Sequence, residues 1–241
     1  NAEGYADAVV SNETTNQVSV LMGDGSGSFG APSVYSVGTT PKSLVLARID
    51  NNLSYDIVTA NSGSNNMSVL LNNGAGSFTG PTNYITGTSP RGIDAADIDN
   101  DGDVDVFVTN YNGASTNNIS VLRNTGTGTF LPKVDYSSGE TNATGLVAGD
   151  YNNDGNIDIM VINETGTGNT AYTSLMMGNG TGTVSLYNKF AVRQTPMGII
   201  AAEINNDGKK DIAVVNSTSN AVNILLNKTA TATALGVTTF C

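Results

Sequence analysis

The 241-residue sequence has no histidine and no tryptophan, and its single cysteine is the last residue, Cys241. Nucleophilic catalysis by a Ser-His or Cys-His pair is therefore excluded, and a zinc site is not expected. An intrachain disulfide is excluded as well, which leaves an intermolecular disulfide through Cys241 as an open alternative. Chemistry that depends on a pair of carboxylates is not excluded by this composition.

Basic residues are also scarce, because 10 lysines and arginines stand against 21 aspartates and glutamates and give a net charge of −11. A nucleic-acid partner requires a basic face, so we expect none. Apolar runs stay well short of the roughly 18 residues that span a membrane, and we expect no membrane insertion. No signal peptide is visible at Asn1, so we expect that any leader was removed or was not included.

What the sequence does contain is one acidic motif that recurs along the chain. It appears as "RIDNNLSYD" from Arg48, "DIDNDGDVD" from Asp97, "DYNNDGNID" from Asp150 and "EINNDGKKD" from Glu203, and the chain start "NAEGYAD" matches the same motif without its first two residues. We call these segments the acidic loops. They end at aspartates spaced 49, 49, 53 and 53 residues apart: Asp7, Asp56, Asp105, Asp158 and Asp211.

The segments around each loop repeat as well. A short apolar strand, which we call the leading strand, precedes the loop, and two further strands, a glycine-rich turn and an aromatic residue follow it. Such units of about 50 residues with four short strands are typical of the blades of a β-propeller. A β-sandwich is the alternative, and five aligned copies argue against it. We therefore predict an all-β fold, a β-propeller of four-stranded antiparallel blades in a single domain, 1–241, with units of about 1–40, 41–89, 90–142, 143–195 and 196–241.

The first unit has no leading strand. The tail 229–241 could supply it and close the ring, a neighbouring chain could supply it, or the sequence could be an excerpt of a longer propeller. The number of blades stays open for this reason: the five repeats predict either a closed five-blade ring or part of a larger propeller.

The acidic loops have the form D-x-D-x-D-G-x-x-D, in which alternate carboxylates converge when the chain curls and glycine permits the bend. Ligands that are all oxygen select Ca²⁺ over transition metals. An EF-hand would need a glutamate at the twelfth position and flanking helices, whereas the chain has Val108, Val161 or Val214 there, each inside a predicted strand. We predict about three Ca²⁺ sites, with these ligands: Asp97, Asp99, Asp101, Asp105 and the carbonyl of Asp103 in unit three; Asp150, Asn152, Asp154, Asp158 and the carbonyl of Asn156 in unit four; Glu203, Asn205, Asp207, Asp211 and the carbonyl of Lys209 in unit five.

The loops of the first two units depart from this motif. In unit two Arg48 takes the first ligand position and Leu53 replaces the glycine, so we expect no metal and an Arg48 guanidinium that neutralises the carboxylates in its place. Unit one keeps Glu3 and Asp7 but has no residue at the first ligand position. Metal binding is therefore not predicted in unit one.

The repeat resembles the FG-GAP/VCBS family, whose members include the integrin-α-like propeller repeats. The resemblance rests on the acidic loop, on strands such as "DIVTAN" and "DIAVVN", and on the segment "SVLLNNGAGSF". It implies a β-propeller with Ca²⁺ in loops between the first two strands of a blade. It also implies an extracellular or cell-surface location and a role in adhesion, ligand binding or surface assembly.

These observations favour a non-enzymatic, calcium-binding extracellular propeller whose partners are a protein or glycan ligand or copies of itself. One alternative is a filament or layer subunit completed by strand exchange, and another is a lectin or a carboxylate-dependent enzyme acting on glycans. Asp94 stands where the other units have Val45, Val147 and Ile200, and Arg91 could pair with it. N-glycans are a further hypothesis, at nine sequons: Asn12, Asn52, Asn66, Asn118, Asn142, Asn163, Asn179, Asn216 and Asn227.

Overall fold

The computed structural model describes residues 4–50, 52–113, 115–165, 170–228 and 235–240, and within these ranges the chain forms β-strands and no helix. The strands follow in chain order: β1 (Ala8–Asn12), β2 (Gln17–Leu21), β3 (Ser33–Ser36), β4 (Pro41–Ala47), β5 (Asp56–Asn61), β6 (Asn66–Asn72), β7 (Phe78–Ile85), β8 (Pro90–Ala96), β9 (Asp105–Asn110), β10 (Asn117–Leu122), β11 (Val134–Ser137), β12 (Thr141–Gly149), β13 (Asp158–Thr165), β14 (Ala171–Gly178), β15 (Val184–Val192), β16 (Pro196–Ala202), β17 (Asp211–Asn216), β18 (Ala221–Asn227) and β19 (Leu235–Phe240).

The strands form five antiparallel sheets whose order follows the chain. Sheet 1 is β1-β2-β3, sheet 2 is β4-β5-β6-β7, sheet 3 is β8-β9-β10-β11, sheet 4 is β12-β13-β14-β15 and sheet 5 is β16-β17-β18-β19. The leading strands β4, β8, β12 and β16 each lie at one edge of their sheet. Each of them pairs with the strand that begins at the last aspartate of the acidic loop.

The second strands of sheets 2 and 3 are buried on both of their faces, as β5 illustrates with six buried residues in six. Alternate side chains of a strand point to opposite faces. Ile57 therefore packs towards sheet 1 and Val58 towards sheet 3. A short apolar run without polar alternation is the expected sequence of such a strand.

Each pair of consecutive sheets encloses one apolar core. Val18 and Ile57 share the first core, Val58 and Val106 the second, Phe107 and Ile159 the third, and Met160 and Ile212 the fourth. Stacked four-stranded sheets of this kind are the blades of a β-propeller, so the predicted fold class is confirmed. The described residues contain these four cores, and the far face of sheet 5 is exposed at Ile200 and Val215.

The recurring aromatic residues bridge neighbouring sheets, as blade packing requires. Tyr35 of sheet 1 meets Phe78 of sheet 2 edge to face with ring centroids 5.4 Å apart, and Tyr84 meets Phe130 in the same way at 5.2 Å. In unit four Val184 replaces the phenylalanine, and it packs with Tyr136 in the third core. Tyr35, Phe78, Tyr84 and Phe130 therefore belong to the inter-blade contacts, whereas Phe29 of unit one is 53% exposed.

The tail is one of three candidate sources of a leading strand for unit one, and the structure places its residues 235–240 elsewhere. Residues Leu235–Phe240 pair with β18 and form the fourth strand of sheet 5. Sheet 1 accordingly has three strands, with β1 at its edge. The remaining tail residues 229–234 and Cys241 lie outside the described residues.

Burial removes four of the nine sequons from the glycosylation hypothesis. Asn118, Asn163, Asn216 and Asn227 are at most 3% exposed, and a buried amide has no room for a glycan in the folded chain. The side chain of Asn179 is exposed, and the other four sequons are half-buried: Asn12, Asn52, Asn66 and Asn142.

Candidate metal centre

In units two to five the last aspartate of the acidic loop is held in the same way by two backbone N–H groups. In unit three the Oδ2 atom of Asp105 accepts a hydrogen bond from the N–H of Ile98 at 3.0 Å, and its Oδ1 atom accepts one from Asn124 at 2.7 Å. The first donor lies in the loop and the second at the end of the blade's third strand. The same two bonds are made by Asp56, Asp158 and Asp211.

The loop of unit three brings three carboxylates together. Asp97, Asp99 and Asp105 each offer an oxygen, and these oxygens lie within 4.8 Å of one another. Asp105 is fully buried and the other two are half-buried, whereas Asp101 is exposed. Three of the four side chains predicted as ligands are thus already gathered on one side of the loop.

Two residues in the left-handed region and one hydrogen bond give this loop its curl. Asn100 has a φ of +59° and Gly102 a φ of +92°, conformations that asparagine and glycine tolerate best. The N–H of Gly102 donates to the Oδ2 atom of Asp97 at 2.9 Å.

Two oxygens of this cluster are buried without a hydrogen-bond partner among the described residues, namely Oδ1 of Asp97 and Oδ1 of Asp99. A buried and unpaired carboxylate oxygen is costly, because it loses water and gains nothing in return. A cation between the three carboxylates would satisfy both atoms. The donor set is all oxygen and therefore suits Ca²⁺.

Asp103 does not join the cluster with its side chain. A Cβ added to Gly126 would lie 2.5 Å from Oδ2 of Asp103, so the carboxylate packs against the neighbouring glycine turn. The backbone carbonyl is then the one oxygen of Asp103 left for the predicted ligand role.

The crowding of acids shows in their pKa values. Burial, with smaller contributions from the charges of Asp99 and Asp101, raises the pKa of Asp105 to about 6. Burial likewise raises the pKa of Asp158 to about 6, with a contribution from Asp154 and Asp150. Backbone hydrogen bonds lower both pKa values, but they do not outweigh burial.

The loop of unit four is curled in the same way around Asp150. Its carboxylate accepts the N–H groups of Gly155 at 2.9 Å and Asp154 at 3.3 Å, and the φ of Gly155 is +84°. The amide of Asn152 donates to Oδ2 of Asp154 at 2.8 Å. The side chain of Asn156 accepts a hydrogen bond from Asn100, which links this loop to that of unit three.

The loop of unit five curls around Glu203. Oε1 of Glu203 accepts backbone N–H groups from Asn205, Asn206 and Asp207 at 2.6–3.2 Å. Lys209 donates its N–H to Asp207 at 3.0 Å, while Asp211 is buried. Asp97, Asp99 and Asp105 remain the one triad of carboxylates drawn this close together within the described ranges, so the structure gathers the predicted ligands of unit three more closely than those of units four and five.

The loop of unit two differs, and the expected role of Arg48 is wrong. Its guanidinium lies over the ring of Tyr55, 5.3 Å from the centroid, and forms no ion pair with a described carboxylate. Asn52 donates its amide to the carbonyl of Asn72 at 2.9 Å, and its own Oδ1 accepts from Ser54. Backbone groups therefore satisfy the amide of Asn52 in this loop. In unit one Glu3 lies outside the described residues, and Asp7 accepts the N–H of Gly23.

Sequence reasoning missed a set of contacts between each acidic loop and the next blade. The carbonyl of Ile49 accepts a hydrogen bond from the side chain of Asn124 at 2.6 Å, and that of Tyr151 accepts one from Asn227 at 2.8 Å. Between units three and four the donor is the backbone N–H of Gly182, which reaches the carbonyl of Ile98 at 3.3 Å. The signal in the sequence was the asparagine that ends the third strand of units two, three and five.

Asp94 and Arg91 do not pair with each other. Oδ2 of Asp94 accepts the N–H of Ala148 in sheet 4 at 2.9 Å, and burial raises its pKa. Arg91 stacks on Tyr111 with its guanidinium 3.6 Å from the ring centroid and lies 3.7 Å from Glu164. Asp94 thus ties sheet 3 to sheet 4.

The model of the FG-GAP-like repeat matches residues 49–108, 97–161 and 153–214. The chain belongs to the FG-GAP-like repeat family. The matches span the second to fifth acidic loops and confirm the resemblance stated from the motifs. No curated protein matches the chain.

Solved structures share the propeller fold with this FG-GAP-like chain at low sequence identity. A virginiamycin B lyase from Staphylococcus aureus, solved with quinupristin, has a TM-score of 0.57 and 14% identity, over 100% of this chain and 67% of that one. A protein of unknown function from Desulfotomaculum acetoxidans gives 0.53 and 12%, over 97% and 85%. The Vibrio cholerae biofilm matrix protein Bap1 gives 0.50 and 16%, over 96% and 36%. At these identities the likeness concerns the fold alone.

Nothing in the described residues forms a helix long and apolar enough to cross a membrane.

Proposed function

We propose that this FG-GAP-like propeller is a non-enzymatic, Ca²⁺-stabilised module that acts outside the cell, in adhesion or as a building block of a surface structure. The observation that carries the proposal is the carboxylate cluster of Asp97, Asp99 and Asp105 with its two buried oxygens that lack a partner. Units four and five, whose loops share the motif, would hold two further ions.

The Ca²⁺ ions would act on the fold and not on a substrate. In units two to five the acidic loop joins the leading strand to the second strand of its sheet, so an ordered loop fixes how these two strands meet. A metal that binds the folded loop more tightly than the unfolded one stabilises the fold by mass action. Three Ca²⁺ would also change the formal charge of the chain from −11 to −5.

The acids outside the acidic loops support a non-enzymatic role, because each has a structural partner. Glu13 pairs with Lys42 at 2.7 Å, Glu140 with Lys189 at 2.6 Å, and Asp135 with Lys133. Asp24 accepts hydrogen bonds from Ser26 within its own turn. Together with Asp94 and Glu164, these carboxylates are occupied in holding sheets and turns, which leaves none evidently poised for hydrolysis.

The extracellular assignment draws on the family, since FG-GAP-like repeats are typical of extracellular proteins. A net charge of −11 with 10 basic residues suits a protein or glycan partner better than a polyanion. An exposed asparagine such as Asn179 has room for a glycan if the source organism glycosylates its proteins.

Isothermal titration of Ca²⁺ into chelator-treated protein tests the metal proposal. We expect about three sites and a melting temperature that rises with Ca²⁺ and falls on addition of EDTA. The variant Asp99→Asn should lose one site. As a matched control, Asp50→Asn in the loop of unit two should keep all of them, because that loop is predicted to bind no metal.

An absence of Ca²⁺ binding at millimolar concentration, or a melting curve unchanged by EDTA, would contradict the metal proposal. The location and the adhesive role need a separate measurement, namely the position of the tagged protein in intact source cells. An intracellular signal would refute the extracellular assignment without affecting the metal result.

A further inference from the structure

The guanidinium of Arg123 reaches into the acidic loop of unit three. Its Nη1 atom donates a hydrogen bond to Oδ2 of Asp99 at 3.3 Å. The other carboxylate oxygen of Asp99, Oδ1, is buried and has no hydrogen-bond partner among the described residues. Asp99 also belongs to the carboxylate cluster with Asp97 and Asp105. Arg123 therefore holds a predicted Ca²⁺ ligand by one oxygen and leaves the other oxygen available to a cation.

The glycine turn of unit four encloses this ion pair. Gly182 has a φ of +84°, and a Cβ added to it would lie 2.8 Å from Cδ of Arg123 and 3.4 Å from Cβ of Asp99. The N–H of Gly182 donates to the carbonyl of Ile98 in the loop, and its carbonyl accepts the hydroxyl of Tyr136, both at 3.3 Å. The turn is thus fastened to unit three on two sides while it packs on the stem of Arg123. Contacts from two blades therefore set the place of the guanidinium.

The arginine is a feature of unit three and follows directly after β10. At the equivalent position the other units have apolar residues: Met22, Leu71, Met177 and Leu226. Leu71 and Met177 pack against the cores between blades. An apolar side chain therefore fits this place in a blade, and the fold of the repeat does not require an arginine here.

The carboxylate that Arg123 contacts is also particular to unit three among the predicted metal loops. Units four and five have the neutral residues Asn152 and Asn205 at the position of Asp99. Unit three therefore has four carboxylates among its predicted side-chain ligands, whereas units four and five have three each. The guanidinium of Arg123 cancels one charge, so that all three loops reach the same formal net charge of −3.

The extra acid and the arginine have opposite effects on a Ca²⁺ site. The number of charged ligands is one of the properties that tune the Ca²⁺ affinity of an oxygen site. A fourth carboxylate attracts the cation more strongly, but it also adds repulsion among the acids of the metal-free loop. A guanidinium bound to that carboxylate offsets both effects, because it neutralises the charge and repels a divalent cation nearby.

We propose that Arg123 sets the Ca²⁺ affinity of unit three as a built-in counter-ion of Asp99. It stabilises the metal-free loop and weakens Ca²⁺ binding towards that of a loop with three carboxylates. Arg123 is not a ligand in this scheme and acts on the metal through Asp99. The inference rests on the proposed function, since it concerns how tightly one of the proposed Ca²⁺ sites binds its ion.

Isothermal titration of CaCl₂ into chelator-treated protein tests the role of Arg123 at a single site. The background is the double variant Asp154→Asn and Asp207→Asn, which leaves two carboxylates in each of the loops of units four and five and so isolates unit three. We expect the further change Arg123→Met to tighten Ca²⁺ binding about tenfold, because four carboxylates then act without a counter-ion. Unit four has methionine at this position, so the blade accepts the new side chain.

A rescue experiment separates an electrostatic role of Arg123 from a purely structural one. In the same background Asp99→Asn should abolish Ca²⁺ binding to unit three, because Arg123 then faces three carboxylates and lowers the net charge to −2. The addition of Arg123→Met should restore binding, since the loop then has the same side-chain ligands as unit four, beside the same methionine. If Arg123 only packed between blades, its removal could not restore metal binding.

The metal-free protein gives a second readout that needs no Ca²⁺. Arg123→Met removes the counter-ion from a loop that keeps its four carboxylates, whereas in an Asp99→Asn background it removes a cation that has lost its partner. Arg123→Met should therefore lower the melting temperature by about 1–4 °C more with Asp99 present than in the Asp99→Asn background. This comparison of four proteins cancels the packing contributed by the methionine itself.

Lys133→Met is the matched control for the loss of one positive charge. Lys133 lies in the same unit and pairs with Asp135, outside the acidic loop. Its replacement should change the Ca²⁺ affinity of unit three by less than about twofold, because solvent and salt screen a distant exposed charge. A change as large as that of Arg123→Met would mean that net charge alone, and not the contact with Asp99, sets the affinity, and would overturn the proposal.

Unchanged or weaker Ca²⁺ binding by Arg123→Met, or no rescue of Asp99→Asn, would likewise overturn the role of Arg123 while leaving the metal proposal intact. An absence of Ca²⁺ binding in every protein, wild type included, would contradict the metal proposal and with it the claim about affinity. The melting temperatures of the metal-free variants would still show whether Arg123 is the counter-ion of Asp99. Failure of the inference and failure of the proposed function are therefore distinguishable.

Discussion

Single carboxylates in the acidic loop of unit three are held in place before any metal binds. The N–H of Gly102 fixes Asp97, the guanidinium of Arg123 lies 3.3 Å from Asp99, and two N–H groups fix Asp105. The loop therefore keeps like charges close to one another with its own hydrogen bonds. Without Ca²⁺ that arrangement costs free energy, and with Ca²⁺ the same arrangement becomes a ligand set.

The variant Asp97→Asn should separate these two effects. Removal of one charge relieves a repulsion of about 1 kcal/mol between carboxylates near 4 Å in a watery setting, and the amide oxygen can still accept the N–H of Gly102. We expect the metal-free variant to be as stable as wild type or slightly more so. Its stabilisation by Ca²⁺ should be smaller. Denaturant unfolding with and without Ca²⁺ measures the stability of the metal-free variant and its gain from Ca²⁺. A metal-free variant that is less stable than metal-free wild type would refute the charge argument.

The pKa values of Asp105 and Asp158 predict the pH dependence of the metal-free protein. A carboxyl whose folded-state pKa is raised from 3.8 to about 6 penalises the fold once it ionises. The stability that goes with the protonated form is complete below the unfolded value and is lost as the pH rises through about 6. Between pH 5 and 7 each group should cost about 1 kcal/mol.

We therefore expect metal-free protein to be more stable towards urea at pH 5 than at pH 7. The stabilisation by saturating Ca²⁺ should run the other way and shrink towards pH 5, because protons compete for the ligand oxygens. The double variant Asp105→Asn and Asp158→Asn is the control, and its metal-free stability should vary less over this range. If the stability of the metal-free protein rises from pH 5 to pH 7, the raised pKa values of Asp105 and Asp158 are refuted.

At the scale of the elements, the acidic loop and the blade that follows form one connected structure. The loop carbonyls of Ile49, Ile98 and Tyr151 each accept a hydrogen bond from the next unit. A carbonyl left without a partner in such a buried place would cost free energy. These bonds therefore couple the order of each loop to the docking of its neighbour.

The asparagines that donate these bonds give a matched pair of variants. Asn124→Ala removes two buried hydrogen bonds to carbonyls, one of them between blades, and should destabilise the chain by about 2–3 kcal/mol. Asn72→Ala removes one such bond, to the carbonyl of Tyr55, and should cost about 1 kcal/mol less. Both substitutions also remove an Oδ1 atom that accepts two backbone N–H groups of the following turn, so that loss cancels in the comparison. Urea unfolding of both variants gives the difference. Equal losses of unfolding free energy in the two variants would show that the bond from Asn124 to Ile49 contributes nothing to stability.

Much of this element structure follows from the sequence, and the reasons are local. A turn-forming loop precedes Asp105, and the consecutive apolar residues Val106, Phe107 and Val108 indicate a strand that is buried on both faces; the structure places them in two neighbouring cores. The carboxylate cluster follows from the spacing of the acids in the D-x-D-x-D-G-x-x-D motif, because alternate side chains converge when the loop curls. The bond from Asn124 to Ile49 could not be predicted, since it joins residues 75 positions apart and depends on how two blades stack. The stacking of Arg48 on Tyr55 and the pairing of β19 with β18 likewise depend on spatial neighbours that the repeat alone does not specify.

At the scale of the whole molecule, each blade has two apolar faces, and the described structure covers them unequally. Between sheets 4 and 5 the fourth core buries Met160 and Ile162 completely. Their counterparts on the far face of sheet 5 are Ala213 and Val215, and Val215 is 50% exposed. The repeat thus supplies the same apolar face twice, once packed and once open.

Because Ile162 is packed and Val215 is exposed, substitution by asparagine should destabilise the chain more at Ile162 than at Val215. Ile162→Asn places an amide in a closed core and removes its packing, so it should cost about 3 kcal/mol or more. Val215→Asn should cost less than about 0.5 kcal/mol, as is usual for surface positions. Urea unfolding of the two variants, each confirmed as folded by circular dichroism, measures the difference. A loss at Val215 close to that at Ile162 would mean that in solution the far face of sheet 5 is covered, because only a packed face can make both substitutions equally costly.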